Sequence, residues 1–332
     1  MVAIVVLLAC WIGLGWAPQS PVALSMVCLA QIRLQPLVDC SALNPSVNRY
    51  CGRSIAIASL HRKERILARP LLVGLGLNLR HASAVDTNQF GSFSGEQLRL
   101  DDAPTTCRRK AEAAMEALGL ELGIASEGSF GPHPAVPMLP VGLEWMTFVD
   151  RRDDLVISEN LLSRSTNYSS CQAADPAAIA GWLRQVGFPR HALMVRPLQP
   201  EMRDSGAWLA KGVHDPRQLA VLMAEAVQLS PVAQAWLETD MRAHCNPTRR
   251  AAIRQLAFRL VRKVASRCPA CGAPGWGVVA TVAGLPCGDC GLATRLVNDE
   301  VFGCVACSHQ DSRPRRDGRR AADPMHCDHC NP

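Results

Sequence analysis

Eight cysteines near the C-terminus have the type and spacing that bind metal ions. They form four Cys-x-x-Cys pairs: Cys268/Cys271, Cys287/Cys290, Cys304/Cys307 and Cys327/Cys330. A Cys-x-x-Cys turn lets two sulfurs converge on one ion, and a structural zinc site takes four sulfurs at about 2.3 Å. The eight thiols therefore predict two structural zinc ions, and zinc is favoured over an iron–sulfur cluster.

The sequence does not determine which cysteine pairs share a metal ion. In sequential pairing, the first two pairs bind one ion and the last two bind the other. In a cross-braced arrangement of the same ligands, alternate pairs along the chain share an ion. A glycine follows both Cys271 and Cys290, as a zinc-binding turn favours. We predict a small double zinc ribbon (rubredoxin-like) over residues 268–332. This module either serves folding alone or also binds nucleic acid or protein.

A second group of polar residues follows three predicted strands upstream. Its members lie after strands 54–59, 78–84 and 120–125, and they are Ser59, His61, Lys63, Asp86, Glu127 and Ser129. In open α/β sheets, ligands bind beyond the carboxyl ends of the strands. Hydroxyls, a lysine and carboxylates gathered there suit a phosphate group or a metal ion, although strand ends are polar in most proteins. We expect a ligand or active site at this edge.

The elements that must position these residues alternate between strand and helix. Helical patterns cover residues 61–75, 105–118 and 176–186 and another begins at 216, whereas 144–160 has the pattern of a hairpin. The alternation predicts an α/β fold with a partly parallel sheet flanked by helices. We place an N-terminal extension at 1–47, an α/β domain at 48–240, a basic linker helix at 241–267 and the zinc module at 268–332.

The linker helix is amphipathic and strongly basic. Ile253, Leu256, Leu260 and Val264 recur at helical spacing. Among its basic residues are four candidates for phosphate contacts: Arg249, Arg250, Arg254 and Lys263. Residues 241–332 hold 14 lysines and arginines against 7 acidic residues, including an arginine run at 313–320. The surplus favours an anionic partner such as nucleic acid, and the alternative is a solvated helix face.

The segment before this helix has two interpretations. Asp240 and His244 lie four positions apart, so on a helix they would share a face and could orient an imidazole. We favour the other interpretation, in which Asn246 is the N-cap of the basic helix and Pro247 occupies its first turn.

The N-terminal segment is almost wholly apolar and has no charge before Arg33. Three interpretations stay open: a mis-assigned start or extension, a membrane anchor or signal at residues 1–17, and a part of the fold. Seven further cysteines are scattered and odd in number, which argues against a disulfide framework and favours a reducing compartment. We therefore expect a cytoplasmic protein that has no membrane partner unless the apolar segment is an anchor.

Several segments together resemble a bacterial family of domains of unknown function with a C-terminus like a zinc ribbon. They are IASLHRKE (57–64), VDTNQFGSF (85–93), ASEGSFGPHP (125–134), LETDMRAH (237–244) and CPACGAPGWG (268–277). The resemblance covers roughly residues 48–332. It brings no activity with it.

The α/β part is also similar, more faintly, to non-canonical purine nucleoside triphosphate pyrophosphatases. This similarity implies that Ser59, His61 and Lys63 hold phosphate, that Lys110 is the helix lysine, and that Glu127 and Ser129 form the acidic turn. His61 stands where that family has asparagine, and Thr105 and Thr106 stand where an acidic ligand is expected. We expect Glu127, Asp86 and His61 to be catalytic, and Ser59, Lys63, Lys110 and Ser129 to bind the ligand.

The leading hypothesis is a zinc protein whose α/β domain binds a phosphorylated small molecule or nucleotide, and hydrolysis of that ligand with Mg²⁺ is the open extension of this hypothesis. A nucleic-acid-binding zinc-ribbon protein is the second hypothesis. A protein–protein adaptor without catalysis is the third.

Overall fold

A computed structural model describes residues 48–91, 100–133, 136–199 and 207–332. The apolar N-terminal segment and residues 92–99, 134–135 and 200–206 lie outside these ranges. The helices are α1 (Glu64–Leu75), α2 (Ala103–Leu118), α3 (Ala180–Val186), α4 (Pro216–Leu229) and α5 (Pro247–Ala265). Within the described ranges, no helix combines the length and apolar character needed to cross a membrane.

In the described ranges, twelve strands form three separate sheets. Their bounds are β1 (Ser54–Ile57), β2 (Asn78–His81), β3 (Leu122–His133), β4 (Val136–Asp150), β5 (Leu155–Ser163), β6 (Ser170–Ala173), β7 (Leu193–Pro197), β8 (Ala210–Val213), β9 (Ala235–Thr239), β10 (Gly277–Ala283), β11 (Val297–Gly303) and β12 (Gln310–Pro314).

The first sheet has the order β2-β1-β3-β4-β5. Strands β2, β1 and β3 run parallel, whereas β4 and β5 continue antiparallel through hairpins. The predicted α/β class with a partly parallel sheet is confirmed, and so is the hairpin at 144–160.

Alternating side chains on β1 divide this sheet into two packed faces. Ile55 and Ile57 are fully buried with α1 and α5, whereas Ala56 and Ala58 lie with α2 on the other face. Ala111 and Ala114 of α2 are also fully buried. Small residues on both sides let α2 approach the sheet closely, so the ends of β1 and β3 lie within reach of its side chains.

Helix α5 belongs to the core of the first sheet, although the sequence suggested a linker. Ile253, Leu256 and Leu260 are at most 1% exposed. The helix packs beside α1, where a Cβ atom on Gly74 would lie 2.1 Å from a methyl carbon of Val261. Glycine at this position lets the two helices touch.

The chain between β5 and α5 forms a second, wholly antiparallel sheet in the order β6-β9-β7-β8. Helices α3 and α4 pack on it around a separate apolar cluster that includes Leu193, Leu219 and Leu237. The region 48–240 therefore holds two sheets. The third sheet, β10-β11-β12, is antiparallel and lies in the C-terminal tail.

The strand order places a topological switch point at β1. Helix α1 leads from β1 to β2 on one side, and α2 leads back to β3 on the other side. The crevice at such a point, beyond the carboxyl ends of the strands, is the usual ligand site of an open α/β sheet.

Candidate metal centres and switch-point cleft

The eight paired cysteines form two groups of four in space. The first metal cluster consists of Cys268, Cys271, Cys304 and Cys307, and the second consists of Cys287, Cys290, Cys327 and Cys330. The first pair along the chain thus joins the third, and the second joins the fourth. This is the cross-braced alternative, and sequential pairing is not what the chain adopts.

The sulfur spacing fits a tetrahedral ion. In the first cluster the distances are 3.9 Å between the sulfurs of Cys268 and Cys307, and 3.6 Å between those of Cys271 and Cys304. In the second cluster the matching distances are 3.8 Å and 3.5 Å. Four sulfurs at about 2.3 Å from a central zinc lie about 3.8 Å apart. Both clusters therefore have the shape and the ligand set of a structural zinc site.

Two of the Cys-x-x-Cys turns are followed by a glycine with a positive φ angle. Gly272 and Gly291 have φ values of 73° and 72°, the left-handed region that favours glycine. No neighbouring atom lies within 4 Å of a Cβ atom built there. The conformation, rather than a side-chain clash, explains why glycine follows Cys271 and Cys290.

Five of the predicted ligand-site residues line one cleft at the switch point. They are Ser59, His61, Lys63, Lys110 and Glu127, and the cleft is also lined by residues that were not predicted to belong to it, among them Thr87, Asn88 and Arg249. The first three come from the loop after β1, Lys110 comes from α2, and Glu127 lies on β3. Their convergence follows from the parallel arrangement of β1 and β3.

Two lysines enter the cleft from opposite sides. The ammonium group of Lys110 forms an ion pair with the carboxylate of Glu127, and both side chains are only 9% exposed. The ammonium group of Lys63 donates to the carbonyl oxygen of Ser126 at 2.6 Å. Ser59 supports the loop because its hydroxyl accepts hydrogen bonds from the backbone N–H groups of His61 and Lys63.

A buried ion pair closes the cleft on the α5 side. Arg249 donates to both carboxylate oxygens of Glu144, at 2.6 Å and 3.3 Å, and each side chain is 1% exposed. Arg249 also donates to the carbonyl oxygen of Met241. Gly128 makes room for this pair, since a Cβ atom there would lie 2.4 Å from the guanidinium and 2.7 Å from the carboxylate.

Among the residues that the structure describes, the buried groups of the cleft carry more positive than negative charge. Three cations (Lys63, Lys110 and Arg249) face two carboxylates (Glu127 and Glu144), and all five residues are at most 9% exposed. Burial lowers the pKa of Lys63 to about 8, although Glu127 opposes this shift. A desolvated cation near neutrality gains from an added anion, so the charge balance favours an anionic ligand.

His61 is held in its neutral form. Burial, and then the charges of Lys63 and Arg249, lower the pKa of this imidazole to about 2. Its ring lies 5.5 Å from the ring of His244, with 32° between the planes. At neutral pH His61 can therefore accept a proton or a hydrogen bond, but it cannot supply a positive charge.

The cavity in this cleft is small. It holds about 30 Å³, and one water molecule needs roughly 10–15 Å³ of such space. Only the end of a ligand fits beside the buried cations, and the rest of any larger ligand would lie outside.

One family model matches this chain, over residues 110–332, and its description is a domain of unknown function, DUF6671. The chain belongs to this family. The DUF6671 region begins at Lys110 and includes Glu127, Glu144, Arg249 and all eight metal-cluster cysteines. No curated protein and no solved structure matches the chain.

Two predicted site residues do not join the cleft. Asp86 is exposed, and its carboxylate accepts from the backbone N–H group of Asn88, so it caps the short 3-10 helix Thr87–Phe90. Ser129 is exposed on β3, two residues beyond Glu127. The strand continues well past its predicted end at 125, and this carries Ser129 away from the buried cations.

Asp240 and His244 do not share a helix face, because they lie in the loop between β9 and α5. Asp240 is fully buried and accepts two hydrogen bonds at 3.0 Å from the Nε group of Arg242. The favoured interpretation is confirmed, since the side chain of Asn246 caps α5 and Pro247 begins it.

The four candidates for nucleic-acid contact lie in different surroundings. Arg249 is buried in the ion pair with Glu144, so it does not reach the surface. Arg250 donates to the carbonyl oxygen of His244, and Lys263 donates to that of Ser158. Arg254 is exposed. Of the four, Arg254 is the one that lies on the solvent face of α5, as the basic pattern predicted.

Sequence reasoning missed Glu144 as the partner of Arg249. The two residues lie 105 positions apart, and nothing local in either segment points to the other. A charged residue within the apolar run of β4 was the one available signal, because a buried carboxylate requires a partner.

Proposed function

We propose that the switch-point cleft binds the anionic end of a small phosphorylated molecule, and that the two metal clusters hold zinc ions that fold the tail. The surplus of buried cations carries the first part of this proposal. Lysine and arginine are the side chains that proteins use for phosphate. The ligand that best suits the small cavity ends in a phosphate group. The rest of such a molecule extends outward from the cavity.

The position of the cleft supports the same conclusion. It lies at the switch point between β1 and β3, and it collects Lys63 and Lys110 from the two sides of the sheet. The residues present favour direct binding of an anion over binding through Mg²⁺. Glu127 is the acidic residue that lines the cleft, and its carboxylate is paired with Lys110. Hydrolysis of the ligand would need a further side chain that activates water or holds a metal ion. Binding is therefore the activity that the geometry supports best.

The zinc part of the proposal rests on eight sulfurs in two tetrahedral sets. The exposed pattern along β10 gives the tail little apolar core of its own, and small modules of this kind gain their folding free energy from the metal. The eleven free thiols among the described cysteines support a reducing compartment such as the cytoplasm. Cys51, which is disulfide-bonded, departs from this pattern.

Isothermal titration of the zinc-loaded protein with phosphate, pyrophosphate and a nucleotide panel tests the cleft. We expect binding of phosphate-bearing ligands, and a loss of about tenfold or more in affinity for Lys110→Met, because a desolvated charge-assisted hydrogen bond contributes about 1.5–3 kcal/mol. Lys211→Met, in β8 of the second sheet, is the matched control and should bind normally. Equal affinities of the two variants would contradict the proposal that the cleft binds the ligand. Release of phosphate from a nucleotide in the presence of Mg²⁺ would show hydrolysis as well.

The pH dependence of binding provides a second test. Lys63 carries its charge below a pKa of about 8 and loses it above, so binding should weaken by up to about tenfold between pH 7.5 and pH 9. A phosphate monoester, whose second pKa is about 6, keeps a constant charge over this range. The Lys63→Met variant should bind weakly at every pH and show a flat profile. A flat profile for the unaltered protein would contradict the role of Lys63.

A further inference from the structure

A larger groove of about 540 Å³ lies between the C-terminal half of α5 and the metal-binding tail. The residues that matter for its chemistry are Arg259, Arg262, Lys263, Trp276, Phe302 and Arg316. It shares no lining residue with the switch-point cleft. It is therefore a separate site, and one that can be tested without disturbing the buried cations.

The groove is positively charged because two of its arginines are not neutralised. Arg259 and Arg262 have no ion-pair partner among the residues that the structure describes. Lys263 pairs with Glu159 at 3.5 Å, and Arg316 pairs with Glu300 at 2.7 Å. Four cations against two carboxylates leave a surplus that favours an anion.

The unpaired charge extends along α5 beyond the groove. Arg254 is exposed, has no ion-pair partner among the described residues, and lies eight positions before Arg262. At a rise of about 1.5 Å per residue, the three arginines span about 12 Å along the helix axis. Cations spread over this length suit a chain of successive phosphates better than a single small anion.

The arginine run at 313–320 is more nearly balanced than α5. Arg313 pairs with Asp311, and Arg315 pairs with Asp317, each by carboxylate contacts of 2.6–2.7 Å. Among the described residues of the basic region 241–332, the cations without an ion-pair partner therefore concentrate on α5, beside the groove.

Flat groups are stacked along the tail side of the groove. The ring of Trp276 lies 5.2 Å from that of His309 and 6.2 Å from that of Phe302, centroid to centroid. The guanidinium of Arg316 lies 5.5 Å from the centre of the Phe302 ring, and its side chain is 68% exposed. Aromatic rings and arginine planes are the groups on which unpaired bases stack in single-stranded nucleic acids.

We infer that this groove binds single-stranded nucleic acid. Arg259 and Arg262 contact successive phosphates, and a base stacks at the end where Arg316 covers Phe302. The bases of a duplex are already stacked on each other, so a duplex could use the arginines but not the aromatic surface. The unpaired arginines and the aromatic surface together therefore favour a flexible single strand of nucleic acid.

Fluorescence anisotropy with labelled 20-nucleotide RNA and DNA strands, and the zinc-loaded full chain, tests the inference. We expect Arg259→Glu/Arg262→Glu to weaken strand binding at least tenfold. The slope of log affinity against log salt should also fall by about 1.4, because each phosphate contact on a single strand contributes about 0.7. Phe302→Leu should weaken binding by a smaller factor with an unchanged slope, since it removes stacking and no charge.

Arg184→Glu/Arg217→Glu is the matched control. Both residues are exposed on α3 and α4 of the second sheet, and the variant has the same change in net charge. It should retain strand binding within about threefold, as should Lys63→Met in the switch-point cleft. An equal loss in this control, or equal affinity for a 20-base-pair duplex, would overturn the inference. So would displacement of the strand by free mononucleotides or by poly-glutamate at equal residue concentration.

Discussion

Replacing Cys268 and Cys304 together with serine should leave about one zinc ion per chain, whereas replacing Cys268 and Cys287 should leave none. The first two residues belong to the same metal cluster, and the second two belong to different clusters. A structural zinc ion contributes roughly 10–16 kcal/mol to binding and folding, so a site that has lost a thiolate ligand should release most of its metal. Elemental analysis of the purified variants measures the outcome directly.

Sequential pairing predicts the reverse of this result. Cys268 and Cys287 would then share an ion and their joint loss would leave one, whereas Cys268 and Cys304 would belong to different sites. Cys171→Ser, which alters a thiol on β6 outside both clusters, is the control and should retain two ions. If both double variants lost all zinc, the two clusters would be coupled in folding. Single replacements of Cys271 and Cys290 would then show whether loss of either cluster releases both ions.

The interleaving also explains why metal should matter to the whole tail. Strand β10 lies between the first and second cysteine pairs, and β11 lies between the second and third. Each cluster therefore closes a loop that contains part of the other. Because β10 and β11 lie inside these loops, we expect a chelator that removes both ions to unfold β10, β11 and β12.

Local signals predicted the parts of this fold that depend on short stretches of chain. The cap of α5 by Asn246 and Pro247, the hairpin of β4 and β5, and the Cys-x-x-Cys turns each rest on residues within a few positions of each other. The convergence of Ser59, Lys63 and Glu127 could also be predicted, because the carboxyl ends of parallel strands meet at one edge.

The features that the sequence could not predict depend on distant contacts. The apolar stripe of α5 indicated a buried face but not the helix α1 on which it packs. The short strands β6 and β8, with four residues each, carry too little pattern to be recognised. The arrangement of the clusters depends on which cysteine pairs approach in space, and spacing along the chain is compatible with both alternatives.

The burial of Arg249 is the most informative of these differences. A helix with many arginines suggests a solvated face, and this pattern predicted that Arg249 contacts nucleic acid. Its guanidinium lies instead beside Gly128, in the gap left by the missing side chain. The absence of a side chain at Gly128 thus lets the guanidinium of Arg249 lie in the interior, where it lines the switch-point cleft.

Breaking the pair of Arg249 and Glu144 should strongly destabilise the α/β sheet. Both side chains are 1% exposed, so Glu144→Gln leaves a buried arginine without its counter-charge. Such a loss costs about 3–5 kcal/mol. Urea unfolding followed by far-ultraviolet circular dichroism measures the change. Glu112→Gln, which removes an exposed pair with Arg108 on α2, is the control and should cost no more than about 0.5 kcal/mol.

The joint variant Glu144→Leu/Arg249→Met separates the pair's net contribution from the cost of an unpaired charge. It removes both charges, so it should recover part of the loss and stay about 1–3 kcal/mol below the unaltered protein, because the carbonyl oxygen of Met241 loses its donor. Gly128→Ala should resemble Glu144→Gln, since its methyl group occupies the space of the ion pair. A joint variant less stable than Glu144→Gln would mean that the pair itself stabilises the sheet. Equal stability of Glu144→Gln and Glu112→Gln would show that Arg249 is solvated. The positive charge inside the cleft would then come from Lys63 and Lys110 alone.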